Sequence, residues 1–175
     1  GILMRKLGML DAAFDNLQAA KEKHKLKEQW HHTAHGHLQR GSTRAAIAEL
    51  TEATVKYPDC GIAYRFLGDL YREQANTHQE HQDMQAALEL ATGSYSSAIT
   101  NFRASHKLAT AGGVESPAAI KLEAYLQHCI MWRGVSNALL QKPDLAVDDL
   151  QLIVNEFDNY SRDVLVRLGD CCVAT

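Results

Sequence analysis

The densest group of side chains able to do chemistry is a run of histidines: His24, His31, His32, His35 and His37. His31 and His35 stand four residues apart, with Glu28 one helical turn earlier. On a helix that spacing offers two imidazoles from one face to a metal ion. Two ligands on one helix are not a site, and no third ligand stands out in the sequence. The histidines are therefore read as surface residues, with no metal and no cofactor. His78 and His81 form a second, weaker pair. No H-E-x-x-H occurs, so zinc peptidase chemistry has no support. Gly112-Gly113 lacks the lysine of a phosphate loop. Ser, His and Asp are plentiful, but nothing places them as a triad. The adjacent acids Asp148 and Asp149 cannot face each other on a helix and read as a solvated face. The chain is expected not to be an enzyme.

The elements that must position these groups are helical. Only three prolines occur, Pro58, Pro117 and Pro143, each placed where a helix could begin or end. Apolar residues make up 46% of the 175, enough for a continuous core. The formal charge is −3, without a basic or acidic tail, which argues against nucleic-acid binding. The one basic cluster, Lys21, Lys23, Lys25 and Lys27, is interrupted by Glu22 and bounded by Glu28, and reads as a solvated face. No apolar run is long enough to span a bilayer. Gly1-Ile2-Leu3-Met4 is too short for a signal peptide, and the leading glycine reads as a cut end. Cys60, Cys129, Cys171 and Cys172 contain no C-x-x-C and read as reduced, buried or half-buried thiols. That suits a reducing compartment, and a cytoplasmic location is expected.

The clearest stretch runs from Trp30 to Pro58. Trp30, Ala34 and Leu38 share one helical face, Gly41-Ser42-Thr43 makes a turn, and Ala46, Ile47, Leu50, Ala53 and Thr54 form the next face. Ser42 or Thr43 is the expected N-cap. Aligning Gly8 with Gly41 gives a shift of 33 residues, so Leu17 and Ala20 open the chain on the second half of an earlier unit. A further helix carries Tyr64, Leu67, Gly68 and Tyr71, and Leu67-Gly68-Asp69 recurs as Leu168-Gly169-Asp170. Ala34, Gly68 and Gly169 are small enough to let helices approach closely. Thr77 and Glu80 fit a capping box, predicting a break near residues 76–79 and a long helix from there toward Leu108. Its stripe is Tyr95, Ala98, Ile99, Phe102, Ser105 and Leu108, ending at Thr110-Ala111-Gly112-Gly113. Ser116 caps a helix from Pro117 to about Leu140, whose broad apolar set predicts contact on several sides. Lys142-Pro143-Asp144 makes a turn into the stripe Ala146, Leu150, Ile153 and Phe157, and Ser161 is the expected cap of the last helix.

W-x3-A, L-G-x2-Y, A-x3-[LF]-x2-A and a closing Pro, at about 34 residues per unit, resemble the tetratricopeptide repeat. The unit 27–60 matches at Trp30, Ala34, Ala46, Leu50, Ala53 and Pro58, and departs at His37, where a tyrosine is usual. The next matches at Leu67, Gly68, Tyr71, Ala98 and Phe102, with 18 residues inserted over roughly 73–90. The resemblance implies an all-α, right-handed solenoid of helical hairpins forming one domain over residues 1–175. Its units would be 1–26 (partial), 27–60, 61–113 with the insertion, 117–160 and 161–175 (partial). Half-units at both ends imply a longer array, or self-association through the open terminal helices.

In this family the first helix of each unit lines a concave groove. The resemblance places Glu28, His31, His35 and Gln39 there from one unit, and Arg65, Asp69, Arg72 and Glu73 from the next. Chaperone-tail binders of the family hold a carboxylate with Lys and Asn where this chain has His31 and His35, so that ligand is not expected. The implied function is a protein–protein interaction scaffold holding a partner's peptide or helix, with Arg65 and Arg72 as the best anchors. The competing reading is a regulatory segment of a larger multidomain enzyme or complex, with catalysis outside these residues. The charge disfavours an RNA-binding repeat, and no membrane partner is expected.

Overall fold

The protein is all-α. The computed structural model describes residues 29–77, 80–111, 116–157 and 162–173, and no strand occurs among them. Among the described residues seven helices follow in order: α1 (29–39), α2 (Thr43–Lys56), α3 (Gly61–Thr77), α4 (His81–Thr110), α5 (Pro117–Leu139), α6 (Pro143–Phe157) and α7 (Arg162–Val173). The chain divides into two compact units, Gly1–Ala53 and Thr54–Thr175. Expectations that fall on residues 1–28, on Gly112-Gly113, on His78 and on Ser161 lie outside the described residues.

In the first unit the expected core is in place: Trp30, Ala34, Ala46, Leu50 and Ala53 are all buried. The turn between α1 and α2 is closed by Gly41 N–H to the Leu38 carbonyl and Ser42 N–H to the His37 carbonyl. Gly41 has φ +73°, which costs a glycine nothing. α2 starts at Thr43, leaving Ser42 at the N-cap position.

The second unit repeats this turn 100 residues later. Gln141 N–H bonds the Ala138 carbonyl and Lys142 N–H bonds the Asn137 carbonyl. Here the left-handed position belongs to Gln141, at φ +57°. The sequence signalled this turn through Pro143 but hid its strained residue, because glutamine has no preference for that conformation. Ala146 N–H then bonds the Lys142 carbonyl as Ala46 N–H bonds that of Ser42.

Each helix from α3 to α7 packs on the next, and α5 also meets α7. The α3–α4 pair is antiparallel, since the start of α3 lies against Asn101 and Phe102 and its middle against Tyr95. Both contacts depend on glycine. A Cβ on Gly61 would stand 2.8 Å from the Phe102 ring, and one on Gly68 2.7 Å from the Tyr95 ring. Asn101 Nδ2 donates to the Pro58 carbonyl at 3.0 Å and pins the α3 entrance. Between α5 and α6 the close approach is at Gly134, whose Cβ would lie 3.1 Å from that of Asp149. The core joins Ala91, Tyr95, Ala98, Ile99 and Phe102 of α4 to Leu126, Cys129 and Ile130 of α5, then to Ala146, Leu150 and Ile153 of α6 and Val164 and Cys171 of α7.

The break between α3 and α4 falls where the capping-box reading put it, but by another route. Glu80, not Thr77, is the N-cap, with extended backbone and no side-chain bond. The Thr77 hydroxyl instead turns back to the Gln74 carbonyl at 2.8 Å. The cap on α5 is as expected: Ser116 Oγ accepts from Ala119 N–H at 3.1 Å, with proline in the first turn. Three burial expectations need correction. Leu108 is 79% exposed and Ser105 is exposed too, because the buried stripe of α4 ends at Phe102. Gly169 has no described atom within 4 Å of its would-be Cβ, so it makes no close helix contact among the described residues. Asp149 is not solvated: it is 5% exposed and paired.

Candidate functional site

The site forms where α3 faces α5. Arg65, Asp69 and Arg72 fall at i, i+4 and i+7 on α3, which aligns them along one edge of its buried face. Tyr125, His128 and Trp132 fall at i, i+3 and i+7 on α5. The two rows meet side chain by side chain. The Arg65 guanidinium lies 4.8 Å from the Tyr125 ring centre and 4.5 Å from that of Phe66. The Asp69 carboxylate lies 2.9 Å from His128 Nε2. The Arg72 guanidinium lies 3.9 Å from the Trp132 ring centre. The sequence offset between partners is 60, 59 and 60 residues, so α3 and α5 run parallel in constant register. From α7, Arg167 approaches the same Trp132 ring at 5.3 Å.

Asp69 is the centre of this ladder. Its Oδ1 accepts from the Tyr95 hydroxyl at 2.7 Å and from His128 at 2.9 Å. A carboxylate can only accept, so the imidazole proton sits on Nε2. Burial alone would raise the Asp69 pKa; the bonds from His128 and Tyr95 and the charges of His128 and Arg65 outweigh it and hold the carboxyl below its usual range. Burial, and then the charge of Asp69, push the Tyr95 hydroxyl far above the ordinary phenol range, while Arg72 pulls the other way. Burial likewise pushes the Cys129 thiol up to about 12, so it stays protonated and unreactive at neutral pH. Asp69 therefore orients Tyr95 and His128 and is not poised to exchange protons near neutrality.

The arginines are held differently. Among the described residues, Arg65, Arg72 and Arg167 take part in no ion pair. The Nε atoms of Arg65 and Arg72 are buried without a hydrogen-bond partner. Their guanidiniums rest on aromatic faces, each such contact worth about 0.5–2 kcal/mol, while the Arg72 charge also acts on the Tyr95 hydroxyl and that of Arg65 on Asp69. Glu73 is exposed at the end of the same helix face.

A second concavity behaves otherwise. A groove of about 510 Å³ between α4, α5 and α6 is lined by Glu89, Ser96, Arg133, Asn137, Lys142 and Asp149 among others. Arg133 makes two bonds to Asp149 and a third to Ser96 Oγ at 3.1 Å. Asn137 Nδ2 adds a contact to Asp149 at 3.4 Å. Lys142 lies 4.0 Å from Glu89. The arginine of this groove is already paired with Asp149, so the groove serves the α5–α6 joint.

Of the residues assigned to a groove from sequence, Arg65, Asp69 and Arg72 come together in the ladder, with Glu73 beside them. His31, His35 and Gln39 belong to the other compact unit. There His31 makes edge contacts with Trp30 and His32, and one His35 nitrogen lies 3.2 Å from the Gln39 amide. Glu28 lies outside the described residues. Sequence reasoning missed Tyr95, Tyr125, His128, Trp132 and Arg167. The i, i+3, i+7 spacing of Tyr125, His128 and Trp132 was an available signal, but it was absorbed into the broad apolar set of α5. Among the described residues no three His, Cys, Asp or Glu side chains cluster as metal ligands, and no helix is long and apolar enough to cross a membrane.

No known protein family matches this sequence, and no curated protein is significantly similar to it.

Proposed function

We propose that this chain is a tetratricopeptide-like helical repeat that recognises another protein, holding a peptide or helix on the face made by α3, α5 and α7. The observation that carries the reading is the ladder in constant register: two arginines of α3 laid on aromatic rings of α5, with no carboxylate within ion-pair distance among the described residues. Structural arginines usually end in ion pairs, as Arg133 and Arg103 do here. Stacked arginines and aromatics, half-buried and preorganised, are the residue types on which binding energy concentrates. The parallel register of α3 and α5, with α4 between them in sequence and antiparallel to α3, suits a stack of helical hairpins. On this reading the role is non-catalytic and the compartment is the cytoplasm.

The test is selection from a random peptide library on wild-type protein and on an Arg65→Glu, Arg72→Glu double variant, with helicity checked by circular dichroism. Wild type should enrich a sequence family that the variant does not. The same family enriched on both proteins would refute the assignment of the face.

A further inference from the structure

The face carries unbalanced charge. Arg65, Arg72 and Arg167 line it, and Lys121 adds an ammonium 5.8 Å from the Tyr125 ring centre. Opposing them are Asp69, already bonded to Tyr95 and His128, and the exposed Glu73. The stripe is positive in a chain whose formal charge is −3. Resting on the reading above, we propose that the segment recognised here is an acidic peptide with two carboxylates about 10 Å apart. The spacing follows from α3. Arg65 and Arg72 are seven residues apart, about 10.5 Å along a helix at 1.5 Å per residue. A peptide in the polyproline II conformation has three residues per turn and rises about 3.1 Å per residue, so acids at positions i and i+3 share one face about 9 Å apart and match that span.

The chemistry of the arginines favours carboxylates over other partners. A guanidinium laid on a ring has its plane set in advance and offers its edge N–H groups in a fork that a carboxylate fills. Arg72 and Arg167 share the Trp132 ring, which places two cations at one end of the stripe. A single-stranded nucleic acid would need aromatic faces free for base stacking. Here guanidiniums already lie against Tyr125 and Trp132.

Fluorescence anisotropy with the full chain tests this. The probes are labelled ten-residue peptides carrying glutamates at i and i+3, glutamines at the same positions, or glutamates at i and i+1, together with a labelled oligouridine. The i, i+3 acidic peptide should bind best, losing about tenfold for each glutamate replaced. Arg72→Gln should lose about as much with the acidic peptide and little with the glutamine peptide. Affinity should also fall steeply between low and high salt. The peptide substitutions leave the protein unchanged, so this arm does not depend on any variant folding. Equal binding of glutamate and glutamine peptides would overturn the acidic inference while leaving peptide recognition standing. So would preference for the oligouridine. Loss of all peptide binding, library selection included, would remove the function reading itself.

Discussion

Gly68→Ala isolates the contact that sets the distance between α3 and α4. The added Cβ would stand 2.7 Å from two Tyr95 ring carbons and 2.9 Å from a third. Carbon atoms in contact prefer about 3.5–4.0 Å, so the overlap is about 1 Å on three atoms. The ring cannot simply swing aside, because Tyr95 is fully buried and its hydroxyl is held by Asp69. Overpacking of this kind costs about 1–3 kcal/mol. Alanine in a helix interior returns about 1 kcal/mol over glycine, so a net loss of up to about 2 kcal/mol is expected. Gly93→Ala is the internal control. Gly93 also lies within a helix, but no described atom stands within 4 Å of its would-be Cβ. It should gain about the 1 kcal/mol that Gly68→Ala gives away. Urea denaturation of both variants measures the contrast. If Gly68→Ala stabilises as much as Gly93→Ala, the packing argument for α3 and α4 is wrong.

Three further outcomes follow from the geometry. Asp149→Ala strands the half-buried Arg133 and should cost about 2–3 kcal/mol in urea, most of it recovered when Arg133→Met is added. Gln141→Gly relieves a left-handed residue and should add about 1 kcal/mol, whereas Gly41→Ala should cost a similar amount; thermal melts check both. The Cys129 thiol has a raised folded-state pKa, so its contribution is intact below the unfolded value near 9 and is lost as pH rises toward about 12. Its share of the measured stability change is a fall of roughly tenfold in folding constant per pH unit between those values, absent in Cys129→Ala; above pH 10 the raised Tyr95 hydroxyl adds a fall of the same sign, which remains in that variant.

Much of the fold was legible because its signals are local. Ser116-Pro117 announced α5, the apolar spacing announced α2 and α6, and the polar run near Asn76 announced the end of α3. Gly68 announced a close approach because only a glycine admits the Tyr95 ring. Gly169 carried the same local signature without the neighbour, since a small residue permits contact but does not create it. Asp149 was misread because its partner Arg133 lies sixteen residues earlier on another helix, and adjacency to Asp148 suggested solvent. The ladder was half legible: Arg65, Asp69 and Arg72 stood out on α3. Their partners lie 59 or 60 residues on, across an insertion that breaks the repeat ruler, so no fixed period leads from one row to the other.

The central claim is that a partner peptide lies on the α3–α5–α7 face. The chain has two tryptophans, Trp132 on that face and Trp30 in the core of the other compact unit. Their two indole N–H resonances, assigned with Trp132→Phe, can be followed while the i, i+3 acidic peptide is titrated in. The expected result is a saturable shift of the Trp132 resonance with Trp30 unmoved. Saturation of binding with Trp132 unmoved would contradict it.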